Sequence, residues 1–164
     1  VRFAALVHDL GKGETPPGEW PAHRGHERRS VALVRALCER LRVPRQARDL
    51  AVLAAAEHGM IHRAGELGPA AIVRLLERTD ALRRPERFTA LLQACEADFR
   101  GRLGYEDRPF AQAPRLLAAL RACRDVPAAA IARSLAAEGR ARPEAIRSRL
   151  HEARVHAVRT ALRD

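Results

Sequence analysis

Five of the chain's prolines, at 44, 69, 85, 127 and 143, each stand where an apolar stripe of helical spacing begins. Proline lacks a backbone donor and fixes φ, so it is tolerated in the first turn of a helix and breaks one elsewhere. The chain is therefore cut into short helices. Leu50, Leu53 and Ala54 share a face after Pro44, and Ile72, Leu75 and Leu76 after Pro69. Phe88, Leu91, Leu92, Cys95 and Phe99 do so after Pro85. The spacing predicts helices over 46–58, 69–82 and 110–124, with others opening at Pro85, at Pro127 (ending near Gly139) and at Pro143. The last carries Ile146, Leu150, Ala153, Ala157 and Leu162 as its stripe. Upstream, Phe3, Leu6, Val7 and Leu10 mark a helix over 1–10, stopped by Gly11 and Gly13. A loop with three prolines covers 13–21. A helix over 22–41 follows, with His26, Ser30, Leu33, Leu37 and Leu41 on one face. Ala, Leu and Arg dominate and all favour helices, while β-branched residues are sparse. The fold class is all-α, a helical bundle; 164 residues suffice for one domain with a real core.

The formal net charge is +10 and Lys12 is the only lysine, so arginine carries the basic character. Such a balance fits a polyanionic partner. Seven arginines lie between Arg140 and Arg163. No apolar run approaches the roughly 18 residues of a membrane span, and no signal-peptide pattern is present. Cys38, Cys95 and Cys123 sit within apolar helical patterns and read as reduced core thiols. The expectation is a cytoplasmic protein.

The chemistry concentrates in a few residues. His8 and Asp9 are adjacent, within LVHDLGKG; His23 and His26 follow in HRGHE, then His58, then Asp98 on the flank of an apolar face. A carboxylate there is costly unless a metal, a proton donor or a cation satisfies it. Imidazole and carboxylate together suit divalent metals, and such a site acidifies bound water and clamps phosphoryl oxygens. No serine or cysteine lies in a nucleophile context. Arg100 and Arg102 flank Gly101 just beyond Asp98 and offer forked donors for phosphate, or an ion pair to Asp98 itself. His62, His151 and His156 read as surface residues.

The order His-Asp, His, His, Asp in a helical chain resembles the HD-domain metal-dependent phosphohydrolase superfamily. Several separated strings narrow the likeness: VRFAALVHDLGKG, the TPP…WPAHRGHE stretch, LCERLRVP, IVRLLERTDALRRPER and CEADFRGRLGYE. They look like the C-terminal HD domain of bacterial CCA-adding enzymes, the multifunctional tRNA nucleotidyltransferases. That resemblance implies phosphatase, 2′-nucleotidase and 2′,3′-cyclic phosphodiesterase activity in tRNA 3′-end processing and repair. It makes His8, Asp9 and Asp98 metal ligands, with His8 and Asp9 at the catalytic centre, and His26 and His58 an accessory pair for a second ion or the substrate phosphate. His23 competes with His26 for that place, and Lys12 becomes a phosphate contact, beside which the forked donors Arg100 and Arg102 are read as further phosphate contacts. The implied cofactor is a divalent metal: nickel, magnesium, manganese or cobalt. The implied partners are tRNA or its 3′ end, nucleotides with a 2′- or 2′,3′-cyclic phosphate, and a second copy as homodimer; no membrane is implied. The division expected is an HD-type core over 1–125 and a basic helical extension over 126–164.

Two departures qualify the likeness. No histidine precedes His8, so the upstream ligand is expected about one helix earlier in a longer polypeptide, of which this chain is a fragment. No nucleotidyltransferase head is present, so these residues alone do not add CCA. The alternative is a non-catalytic tRNA-binding or dimerisation module with a degenerate metal site.

Overall fold

A computed structural model describes residues 1–163; Asp164, the end of the basic extension, lies outside the described residues. The helices are α1 (Arg2–Val7), α2 (His26–Arg40), α3 (Arg45–His62), α4 (Pro69–Arg78), α5 (Pro85–Arg100), α6 (Gln112–Arg124), α7 (Ala128–Ala137) and α8 (Pro143–Ala161). A 3₁₀ turn over Leu10–Glu14 follows α1, and a second spans Pro17–Glu19. There is no strand among the described residues. Pro69, Pro85 and Pro143 occupy the first turns of α4, α5 and α8, while Pro44 and Pro127 cap α3 and α7. No described helix is long and apolar enough to cross a membrane.

Helix α3 runs through the centre of the site-bearing half, packed on α1, α2 and α5. Its buried residues are small where neighbours cross it (Ala51, Ala54 and Ala55), which lets three helices approach closely. Phe88, Leu91 and Leu92 of α5 and Val34 and Cys38 of α2 fill the space around it. Helix α8 packs on α4, α6 and α7, with Val158 fully buried. All three cysteines are free and buried.

Several expected boundaries and faces shift. The stripe Phe3, Leu6, Val7, Leu10 is not the buried face: Ala4, Val7 and His8 are inside, and Leu6 is 80% exposed. The α-helix ends at Val7 and tightens to three residues per turn, so a 3.6-residue period does not carry on to Leu10. Helix α2 starts at His26 rather than residue 22, because His23 and Gly25 both hold positive φ. Its buried line is Ser30, Val34 and Cys38, with Leu33 and Leu37 on the flank and Leu41 exposed. Helix α3 continues through Gly59 to His62, one turn past the expected end. A mid-helix glycine costs about 1 kcal/mol, which full burial of Ile61 in the next turn offsets. Helix α4 stops at Arg78, four residues early, because Asp80 turns left-handed. His151 is no free surface residue: its Nδ1 lies 3.1 Å from Glu77 Oε2, while Arg154 pairs with Glu77 Oε1, tying α8 to α4.

Candidate metal centre

The centre forms where the end of α1, the start of α2, the last turns of α3 and the end of α5 meet. Each supplies side chains from a different stretch of sequence. His8 is the C-cap of α1 and Asp9 the next residue, at the junction with the 3₁₀ turn. This junction is pressed onto α2 at Gly11, where a Cβ would overlap the His26 carbonyl oxygen and the Ser30 backbone nitrogen. The Gly11 N–H donates to Ser30 Oγ at 2.9 Å, and Arg29 Nε donates to the Gly11 carbonyl at 3.2 Å. Gly11 thus serves close backbone approach, and that approach sets Asp9 against His26.

The atoms converge closely. Asp9 Oδ1 lies 3.2 Å from His26 Nε2 and 3.3 Å from His58 Nε2, and those two nitrogens are 3.2 Å apart. On the other side Asp9 Oδ2 lies 3.3 Å from His8 Nε2, which is 3.5 Å from Asp98 Oδ1. Asp9 therefore stands between two groups of donors, one oxygen to each. The ring orientations share a cause. His8, His26 and His58 each turn Nδ1 to a backbone carbonyl, of Ala5 (2.7 Å), His23 (2.9 Å) and Ala54 (2.9 Å). A carbonyl only accepts, so the proton sits on Nδ1 and the Nε2 lone pair faces the cluster. That is the carbonyl-fixed tautomer of a metal-binding histidine.

His8 Nε2 and Asp9 Oδ1 are buried and have no hydrogen bond despite these short separations. Atoms aimed at a common point rather than at each other give this pattern. Ligands at right angles on an ion with bonds of about 2.1 Å are ~3.0 Å apart, close to the separations here. His8, Asp9 and His58 also meet the distance requirement for one shared ion. The residues fit a divalent cation.

The electrostatics agree. Burial opposes ionisation of Asp9, but His58, His8 and the Lys12 ammonium around it outweigh burial and hold the carboxyl well below its usual range. His62 beside Asp98 is the main cause that lowers its pKa to about 2. Burial disfavours charge on His8, yet Asp9, the Ala5 carbonyl and Asp98 together raise its pKa above the usual value.

Of the residues singled out by sequence, His8, Asp9, His26, His58 and Asp98 come together. His23 does not: it sits at the left-handed turn before α2, and its carbonyl accepts from His26 Nδ1. Lys12 is ion-paired with Asp9. Arg102 reaches Asp98 Oδ2 at 3.2 Å, whereas Arg100 pairs with Glu96 at 2.9 Å and stands apart. His62, expected at the surface, lies with Nε2 2.8 Å from Asp98 Oδ2. The sequence held a signal for it in His58 and His62 at i,i+4, visible only if a helix is drawn through Gly59.

A helical bundle that gathers imidazoles and aspartates from four segments onto one centre has the architecture and donor set of an HD-type domain of the metal-dependent phosphohydrolase superfamily. The HD domain family matches residues 1–98, and the chain belongs to that family. It is similar to the "Multifunctional CCA protein" of Burkholderia cenocepacia, 57% identical over 162 residues, which are 99% of this chain and 38% of that protein. It is likewise similar to those of Paraburkholderia phytofirmans and Burkholderia pseudomallei, at 59% identity with the same coverage. The chain thus spans under two-fifths of the length of these curated relatives. No solved structure matches it significantly.

Proposed function

We propose that this chain is the phosphohydrolase part of a multifunctional CCA-type protein, cleaving 2′,3′-cyclic phosphates and 2′-phosphates on nucleotides or on the tRNA 3′ end in the cytoplasm. The observation that carries the reading is Asp9, with one oxygen to each of two imidazole groups. His8, Asp9 and Asp98 would hold one divalent cation, and Asp9 with His26 and His58 a second. The cation, whether nickel, magnesium, manganese or cobalt, supplies Lewis acidity toward phosphoryl oxygens and an acidified water as nucleophile. Three backbone carbonyls keep the Nε2 atoms turned inward, so no reorganisation is needed at the moment of reaction. Lys12, ion-paired with Asp9, would stand beside a cation held there and offer its ammonium to a phosphate oxygen. Arg102 at the rim offers a forked donor to the same anion. Arg100, held by Glu96, is a weaker phosphate contact.

In this reading residues 1–125 form the hydrolytic core and 126–164 a basic extension that meets tRNA. Arg142, Arg147 and Arg159 are exposed on or beside α8. Similarity to proteins named "Multifunctional CCA protein" supports this reading. The test is hydrolysis of a 2′,3′-cyclic nucleotide with each metal added. Activity with at least one metal, abolished in Asp9→Ala and Asp98→Ala, is expected. Steeply salt-dependent tRNA binding without metal-dependent hydrolysis would instead make the chain a binding module.

A further inference from the structure

We propose that His62 is a further metal ligand of this centre, acting with Asp98; the inference rests on the metal-centre reading above. His62 lies one turn after His58 on the same face of α3, with ring centroids 6.2 Å apart. Two histidines at i,i+4 on one helix face can chelate a single ion or line one centre. His62 Nε2 is buried and lacks a hydrogen bond, as His8 Nε2 and Asp9 Oδ1 do. Its separation from Asp98 Oδ2, 2.8 Å, is near the ~3.0 Å expected of adjacent ligands on one ion. The two atoms form no hydrogen bond at that separation, and a separation of this size is a normal edge of a coordination polyhedron.

The surroundings hold the ring there. Phe110 packs edge-on against it at 5.9 Å, and Gln112 Nε2 donates to the His62 carbonyl at 3.0 Å. Asp98 then repeats the arrangement of Asp9: Oδ1 faces His8 at 3.5 Å while Oδ2 faces His62. The donor set extends along α3 toward the α5–α6 loop, the side on which Arg102 stands. His62 differs from the other three rings in one respect. Its Nδ1 has no carbonyl partner among the hydrogen bonds of the described residues, so it is the least rigidly held donor.

Cobalt(II) added to the 164-residue chain provides the test, because its visible absorption reports the ligands directly. His62→Ala and His62→Gln are both expected to weaken cobalt binding tenfold or more and to alter the absorption bands, with the metal-free melting temperature little changed. Glutamine keeps a hydrogen-bond donor near Asp98 but supplies no imidazole. Wild-type affinity and spectrum in His62→Gln would reduce His62 to a hydrogen-bonding support and overturn the proposal, as would wild-type behaviour in His62→Ala. Absence of cobalt binding by the unaltered chain would overturn the metal-centre reading itself. Cobalt binding lost in Asp9→Asn but untouched in both His62 variants would overturn the His62 assignment alone.

Discussion

His26 Nε2 and His58 Nε2 face each other at 3.2 Å across the α2–α3 packing, and each ring gives its Nδ1 proton to a carbonyl of its own segment. Two lone pairs at that distance repel unless a cation lies between or beside them. Asp9 Oδ1, equidistant from both within 0.1 Å, adds negative charge to the same point. A divalent ion held there would offset that concentration of lone pairs and negative charge.

Asp9→Asn keeps the side-chain volume and removes the charge. Because Asp9 serves both donor groups, its loss is expected to lower divalent-metal affinity at least 100-fold, more than loss of a supporting residue, for which 10–100-fold is typical. Isothermal titration with manganese measures this. Affinity within threefold of wild type would show that Asp9 is not shared.

Metal affinity is expected to depend on pH through His8. Its pKa is raised above the ordinary 6.5, so a proton competes for Nε2 above that pH. Affinity is expected to keep rising with pH above 6.5 instead of levelling there. A titration at pH 6, 7 and 8 decides, and a flat response above 6.5 would contradict the assignment.

Asp98 contributes to the acid stability of the metal-free chain. Its pKa is lowered in the folded state from 3.8 to about 2, so the stabilisation is present above 3.8 and is lost as pH falls toward 2. With allowance for solvent screening, this contributes ~1 kcal/mol. His8 acts oppositely: its raised pKa gives stability that is full below 6.5 and is lost as pH rises through the folded value. Urea unfolding of wild type and Asp98→Asn between pH 5 and pH 2 should show the two curves converge at low pH.

Gly11→Ala places a methyl group on the backbone of α2. Overpacking of this kind costs about 1–3 kcal/mol. The melting temperature and the metal affinity are expected to fall together, because the same contact sets Asp9 against His26. A drop in stability with affinity intact would separate the two roles.

The three thiols are expected to resist alkylation. Burial pushes Cys95 up to about 12 and Cys123 up to about 11, and raises Cys38 as well, so little thiolate exists near neutrality. Iodoacetamide at pH 8 should label none in the native chain and all three in denaturant. Rapid labelling of Cys95 in the native chain would show that the end of α5 is not packed as described.

The sequence alone determined the helical class, the prolines that open helices, the cores of α4 and α5, and the reduced state of the cysteines, because these follow from residues a few positions apart. His8, Asp9, His26, His58 and Asp98 were also legible as chemistry, since imidazole and carboxylate groups in that order have few other uses. Tertiary structure decided which of them meet. His26 was separated from His23 by left-handed backbone before α2, and Arg102 from Arg100 by the ion pair to Glu96. His62 entered because burial of Ile61 carries α3 through Gly59, against the local preference of glycine. Periodicity reports which residues share a helix face, but the face that becomes buried depends on neighbours distant in sequence. For the same reason Leu6 is outside, and Ser30, a small polar residue, lies beneath Gly11.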